Sequence, residues 1–309
     1  MAAFPAGTET GASLASYIPI VWGEKVNEFY RAKLIAAPFF TDRSDELSGG
    51  GDTLYTPNTT EFTASAKAVG ITVSLNSPTD TKQILTVNQW FESSFAIEDN
   101  NAAQVKRSYS LMERYAKNAG YAVAKRLDFA ITALFFGFSN VVGSSTTNLQ
   151  DSDIRSAFSY LERNDVPSEE SAFFFHPNVF WRQVQRLDKF SLAINSPVND
   201  PTAKRPAGYL YGQPVYITTQ VQTSLPSGSL ARVNALAHTD AIHWATSPLG
   251  AGGSKGAMVG SGGIRVQANY IPEYLSTVTT ADVLYGVIEN RDLAGVAILT
   301  PAVVDAGNT

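Results

Sequence analysis

The sequence predicts an α+β fold, and three observations carry that prediction. Asp99 to Phe138 reads as a single amphipathic helix of about forty residues. A pair of strand-like runs feeds directly into it. After a mixed helix-and-strand module, three more strand-like runs close the chain. At 1.5 Å per residue the helix would be about 60 Å long, against a diameter of roughly 50 Å for a globule of this size. A helix as long as the globule implies an elongated, plate-like subunit with a projecting arm, a shape suited to tiling.

Residues 1–20 are rich in Ala, Gly, Ser and Thr and read as an arm. Trp22 to Ala37 has apolar residues at near-helical spacing and is expected to form a short helix that stops at Pro38. Residues 44–58 hold Gly49-Gly50-Gly51 and Pro57 and read as a mobile loop. Two strands are expected next. One runs through Phe62, Ala64, Ala66 and Ala68 and continues at Ile71, Val73 and Leu75; the other spans Gln83 to Phe91. The turn signal Asn76-Ser77-Pro78-Thr79-Asp80-Thr81 lies between them. A lone hairpin is marginal in water, so something must cover it. Its own domain and a second subunit both fit the pattern.

The long helix opens at Asp99-Asn100, both good N-caps. Apolar positions then follow in steps of three or four: Val105, Tyr109, Met112, Ala116, Ala119, Val123, Leu127, Ala130 and Leu134. Gly120 costs about 1 kcal/mol relative to alanine in a helix interior and marks a candidate bend. Asp151-Ser152 should cap the next helix, which ends before Pro167. Ala172 to Phe175 reads as a buried strand stopped by His176-Pro177, and Asn178 as the cap of a helix reaching about Leu187. A strand is expected at Pro214 to Ile217, then a strand and a short helix across 230–246. Residues 247–263 hold seven glycines and read as a flexible loop. The last strands are expected at 264–274, 281–289 and 293–299, in a sheet with the long helix.

Composition narrows the function. Hydrophobic residues make up 44% and charged residues 17%, below the usual quarter for charges, which points to large subunit interfaces. Lys and Arg total 23 and Asp and Glu 28, a net charge of −5; no basic tract marks a specific nucleic-acid reader. The absence of cysteine removes disulfides, thiolate metal sites and Cys nucleophiles together. No apolar run is long enough to span a membrane, and the first residues carry no signal-peptide pattern.

Candidate chemistry is sparse. His238, Asp240 and His243 are close in sequence, but a step of five places the histidines on mismatched helix faces, which favours a structural role over a zinc site. Gly250 to Gly256 fails the order of a phosphate loop, because Ser254 precedes Lys255 and no Ser or Thr follows it. No nucleophile elbow is present. Trp90, Phe91, Trp181 and Trp244 sit beside apolar residues and read as core. No catalytic residue, metal ligand or cofactor is assigned.

Taken in order, these pieces resemble the major capsid protein of tailed double-stranded DNA bacteriophages, the Hong Kong 97-like fold. The resemblance rests on Ala122-x-Ala124-x-x-Leu127-Asp128-x-x-Ile131 in the long helix and on Phe173-Phe174-Phe175-His176-Pro177. It rests also on Gly208-Tyr209-Leu210-Tyr211-Gly212-Gln213-Pro214-Val215-Tyr216, on Arg265 to Tyr270, and on Tyr285-Gly286-Val287 through Val296-Ala297-Ile298. It implies an N-terminal arm and helix (1–44) and an extended β-hairpin loop (45–97). It further implies a peripheral domain with a spine helix (98–150 and 264–309) and an inserted axial domain (151–263).

The function so implied is structural and not enzymatic. Pentamers and hexamers would self-assemble into an icosahedral shell around double-stranded DNA, formed in the host cell cytoplasm and located in the virion. About twenty residues precede the first helix, so a separate scaffolding protein is expected, together with a portal, possible decoration proteins and non-specific contact with packaged DNA. Candidate interface residues are Tyr55, Phe62, Lys67, Lys82, Gly252 and Lys255; Gly50 and Gly120 are candidate hinges. An encapsulin-type cargo compartment is the alternative on the same fold. A hydrolytic enzyme with a pocket around His238 and Asp240 is a third reading.

Overall fold

The computed structural model describes residues 34–47, 51–59, 61–99, 111–187, 190–192, 207–224, 230–247, 249 and 263–302. In chain order the first strands are β1 (Thr41–Asp42), β2 (Thr53–Asn58), β3 (Thr81–Thr86), β4 (Gln89–Glu98), β5 (Asn140–Gly143), β6 (Ser171–Phe175), β7 (Phe190–Leu192) and β8 (Gly208–Leu210). They are followed by β9 (Gln213–Ile217), β10 (Thr223–Ser224), β11 (Ala231–His238), β12 (Ile242–Ser247), β13 (Arg265–Ile271), β14 (Ser276–Glu289) and β15 (Gly295–Pro301). The helices are α1 (Ala36–Phe39), α2 (Leu111–Ala133), α3 (Asp151–Arg163) and α4 (Pro177–Arg182).

Strand β14 anchors the first sheet. One of its edges pairs with β13 over Ser276–Asp282 and then with β12 over Leu284–Glu289. The other pairs with β4 in an antiparallel ladder from Ser276↔Glu98 to Tyr285↔Gln89. Two residues of β1 add in parallel to β12. Helix α2 lies across this sheet and continues as a 3₁₀ turn to Phe136. Its buried positions Ala119, Val123, Leu127, Ala130, Ile131, Phe135 and Phe138 follow the helical period. They pack on Ala281, Val283 and Tyr285 of β14 and on Ile242 and Trp244 of β12. Of the forty-residue helix expected at 99–138, residues 100–110 lie outside the described residues. Leu134 is only partly buried, because the 3₁₀ turn rotates Phe135 inward in its place.

The second sheet runs β5-β15-β11-β6-β9-β8-β7, with β10 on β11. Both faces are covered, which explains the uninterrupted Phe173-Phe174-Phe175 run. Phe174 faces the core beneath α2, whereas Phe173 and Phe175 face Ile154, Ala157 and Leu161 of α3. The buried amide of Asn234 is fully used. Its Oδ1 accepts from His176 N (3.0 Å), and its Nδ2 donates to Ile298 O (3.2 Å) and Thr300 Oγ1 (2.9 Å), fastening β11 to β15 and to the start of α4. Sheet membership crosses residues 150 and 263: β5 and β15 belong here, and β12 belongs to the first sheet. Only two of the three final strands therefore share a sheet with α2.

Several local expectations are corrected. Pro38 does not end a helix; it sits inside the single turn Ala36–Phe39, where a missing N–H costs nothing. Residues 44–58 are not one loop, since they contain a 3₁₀ turn at Ser44–Leu47 and strand β2. Helix α3 is capped by Gln150 and Asp153 in a reciprocal box, with Asp151 already helical. Helix α4 is capped by His176, whose Nδ1 accepts from Asn178 N at 3.2 Å. Burial, with Arg232 nearby, pushes His176 down to about 4, so the ring stays neutral and can accept. Trp90 and Trp181 are not core: they are 64% and 61% exposed, whereas Trp244 is buried.

The entering chain is held by a buried carboxylate. Asp128 is fully buried on α2, and its Oδ1 accepts from Ala37 N at 3.0 Å, with the backbone N–H groups of Ala36 and Ile35 nearby. Burial raises the Asp128 pKa against the pull of the nearby backbone N–H groups, Ala37 first among them. The Ala37 N–H in the first turn of α1, which no helical carbonyl can reach, is satisfied this way. Asp128→Ala should therefore orphan it and cost about 2 kcal/mol or more of subunit stability, read as a lower urea midpoint at unchanged slope.

Candidate assembly surface

The hairpin that projects from the first sheet differs from the expected one. Strand β2 pairs with β3 from Thr53↔Thr86 to Asn58↔Thr81. The expected strand at 62–75 is absent: residues 61–80 carry no strand and every one is exposed. Alternation of small apolar and polar residues there had no partner strand and no buried face to act on. Pro57 is tolerated in β2 because a two-stranded ladder leaves each strand an outer edge. Gln83 to Phe91 is also not one strand, since the chain turns at Val87-Asn88 from β3 into β4.

The base of the hairpin is anchored. Leu85 and Val87 are buried with Leu47 and Ala245, against Leu54, Leu284 and Ile288. Val87 N donates to Asp52 O at 2.7 Å. Gly286 of β14 makes the seat possible, because a Cβ there would overlap the backbone of Thr86 and Val87.

Beyond the base, apolar side chains face solvent. Tyr55, Phe62, Val69, Ile71, Val73 and Leu75 are all exposed, Leu75 at 90%. The tip folds on itself: Asn76 Nδ2 donates to Thr63 O at 3.1 Å, and Lys67 Nζ donates to the carbonyls of Ala68 and Ile71. Lys82, opposite Pro57 in the register, lies over the Tyr55 ring at 4.5 Å. The structure thus places Tyr55, Phe62, Lys67 and Lys82 on one projecting element. The apolar row Val69, Ile71, Val73 and Leu75 was visible in the sequence, yet its alternation pointed to a strand and not to an exposed surface. Gly50, Gly252, Lys255 and the glycine-rich Gly250–Gly256 segment lie outside the described residues. Helix α2 runs unbroken through Gly120, where an added Cβ would meet nothing within 4 Å.

On the sheet that carries the hairpin, Arg265, Asp282 and Trp90 link three strands. Arg265 Nε and Nη2 donate to the two oxygens of buried Asp282 (2.9 and 2.6 Å), and Trp90 Nε1 donates to Asp282 Oδ2 (3.0 Å). The hydrogen bond to Asp282 raises the Arg265 pKa. Three donors on one carboxylate stabilise a charge that burial would otherwise disfavour.

His176 and His238 each cap a helical turn through Nδ1. His238 Nδ1 accepts from Asp240 N at 3.1 Å, and its Nε2 is 3.9 Å from Glu170 Oε2. His243 is buried, with Nε2 3.8 Å from Asp240 Oδ1, and burial lowers its pKa. A cavity of about 420 Å³ does lie beside His238 and Asp240, bounded by Asn164–Pro167 and Arg291–Ala294. Its titratable lining consists of His238, Asp165, Asp240, Asp292 and Arg291. Among the described residues no group of three potential metal ligands forms, and no helix is long and apolar enough to cross a membrane.

No family model matches the chain, and no curated protein matches it by sequence. Solved structures do match along almost the full length. The capsid of cyanophage P-SCSP1u is 14% identical, with 96% of each chain covered and a TM-score of 0.69. The capsid of Ralstonia phage GP4 is 11% identical, covering 94% of this chain and 97% of that one, with a TM-score of 0.69. A structure from Mycobacterium phage Che8 is 20% identical, covering 91% and 97%, with a TM-score of 0.68. The chain has the fold of phage capsid proteins.

Two substitutions test this geometry. Gly286→Ala should unseat the hairpin base, seen as faster amide exchange at Ile84–Thr86 with the second sheet unchanged. Gly120→Ala should raise subunit stability by about 0.5–1 kcal/mol, since the helix is continuous and the added methyl meets nothing; thermal unfolding of the unassembled subunit measures it.

Proposed function

We propose that this chain is the major capsid protein of a tailed double-stranded DNA phage, built on the Hong Kong 97-like plan and with a structural rather than catalytic role. The observation that carries the reading is a full-length fold match to phage capsids in a chain with an exposed apolar hairpin tip. A row of apolar side chains on a projecting arm is an unpaid debt in a monomer and an asset in a lattice, where a neighbouring copy removes it from water at about 25 cal/mol per Å². The contact is heterologous, arm to neighbour, and such contacts close into rings.

Pentamers and hexamers joined into an icosahedral shell are the assembly this implies. Residues 45–97 act as the extended loop, α2 as the spine helix, and 151–263 as the axial domain. Gly50 and Gly120 remain the hinge candidates, and Gly252 and Lys255 the further interface candidates, of this reading. A net charge of −5 keeps the wall from sticking to the DNA phosphates it contains. A separate scaffolding protein and a portal would take part in assembly in the host cell.

The test is size. The expressed chain, alone or with its scaffolding partner, should form closed shells tens of nanometres across by negative-stain electron microscopy. Replacing Val69, Ile71, Val73 and Leu75 by serine should change subunit stability by less than about 0.5 kcal/mol and abolish the shells. A subunit that stays monomeric under every condition would overturn the reading; shells that carry a peptide-tagged cargo enzyme would shift it to a cellular compartment.

A further inference from the structure

The first sheet ends on an unguarded strand. Strand β4 pairs with β14 in an unbroken ladder from Ser276↔Glu98 to Tyr285↔Gln89, so it contains no bulge. Among the described residues no strand lies on its other edge. Its ten residues include no proline, glycine, lysine or arginine, the devices that usually keep such an edge from pairing again. Its two faces differ. Phe91 and Phe95 pack against the core that holds α2, with Ile97 half-buried on the same face, whereas Glu92, Ser94 and Glu98 are exposed on the other.

Residues 62–68 of the hairpin tip are the reverse case, a strand pattern without a strand. Phe62, Ala64, Ala66 and Ala68 alternate with Thr63, Ser65 and Lys67, yet every one of them is exposed and none is in a ladder. Across 61–80 the one backbone hydrogen bond among the described residues is Ile71 N to Ala68 O at 3.4 Å. The charges of the two segments are opposite. Glu92 and Glu98 are the only charged residues of β4, and Lys67 is the only one between residues 62 and 79.

We propose that residues 62–68 of one copy add as an antiparallel strand to the free edge of β4 in the next copy, with Lys67 opposite Glu92. The proposal rests on the capsid reading above and specifies the bond that its arm makes. In this register Ala68 falls opposite Phe91, Ala64 opposite Phe95 and Phe62 opposite Ile97, all on the α2 side. Small residues meet the two rings, and the one ring of the incoming strand meets an aliphatic side chain. Ser65 falls opposite Ser94 on the exposed face. A slip of one residue would turn the apolar row onto the face of Glu92 and Glu98. Those two carboxylates repel a second β4 and attract Lys67, so the edge is selective for its partner. Main-chain hydrogen bonds supply the attachment, and the alternating side chains supply the register.

Amide exchange of the full-length chain, compared between the unassembled subunit and shells formed alone or with the scaffolding partner, tests this pairing. Gln89–Glu98 and residues 62–68 should both exchange more slowly in shells, because the alternate β4 amides that point away from β14 gain acceptors. The chain has no cysteine, so Ser65→Cys combined with Ser94→Cys should give disulfide-linked multimers when shells are oxidised, directly opposed Cβ atoms being about 5 Å apart. Ser65→Cys combined with Ser93→Cys, whose second thiol lies on the opposite face, should give none. Shells in which Gln89–Glu98 exchanges as in the free subunit, or in which the Ser65 and Ser94 pair yields no multimers, would overturn the strand addition and leave the capsid reading standing. Outward β4 amides that are already slow in the free subunit would overturn it too. Subunits that form no shells under any condition overturn both, and the wild-type exchange decides even if the cysteine variants do not assemble.

Discussion

Strand β14 is the constraint on which the rest depends. Its fourteen residues (Ser276–Glu289) are paired along one edge by β13 and then β12, and along the other by β4. Its inward residues Ala281, Val283 and Tyr285 form the floor on which α2 lies. Its outward Asp282 collects Arg265 and Trp90 from the strands on either side. Its Gly286 admits the base of the hairpin, and its last residue, Glu289, reaches Gly137 beyond the end of α2. One strand thus fixes the helix and the arm, so a register slip of one residue would reverse all of these faces together.

Rigidity and exposure are distributed accordingly. The base of the hairpin is buried and hydrogen-bonded, whereas its tip presents Val69, Ile71, Val73 and Leu75 to solvent around a short self-closed loop. The second sheet is covered on both faces and fastened internally by Asn234. The chain crosses between the two sheets three times, and the sheets share one apolar core with α2, to which Phe174, Val233, Ala235 and Ala297 contribute from the second sheet and Val283 and Tyr285 from the first.

Four of the candidate surface residues fall on one element, though not for the local reason the sequence offers. Tyr55, Phe62, Lys67 and Lys82 were grouped because a hairpin was expected, and they do share one projecting element. Yet the strand assigned to 62–75 is exposed coil, and the actual partner of β3 is Thr53–Asn58, a stretch that Pro57 and the neighbouring glycines had marked as loop. Pairing is a property of two segments, and nothing in either one states which is its partner. Trp90 and Trp181 misled in the same way, since apolar neighbours in sequence do not fix which side of an element is covered.

The sequence by itself determined the elements with strong internal period: α2 from its apolar stripe, β6 from its phenylalanine run, and the late strands from their β-branched composition. Their order was enough to indicate the capsid fold. These signals are local, carried by side chains three, four or two residues apart. Tertiary structure alone decided what depends on distant partners. Asp128 caps a helix turn ninety-one residues away, β15 joins a different sheet from β14, and Glu289 meets the end of α2. Each joins groups that chain connectivity leaves far apart, and only the folded packing sets their distance and their dielectric surroundings.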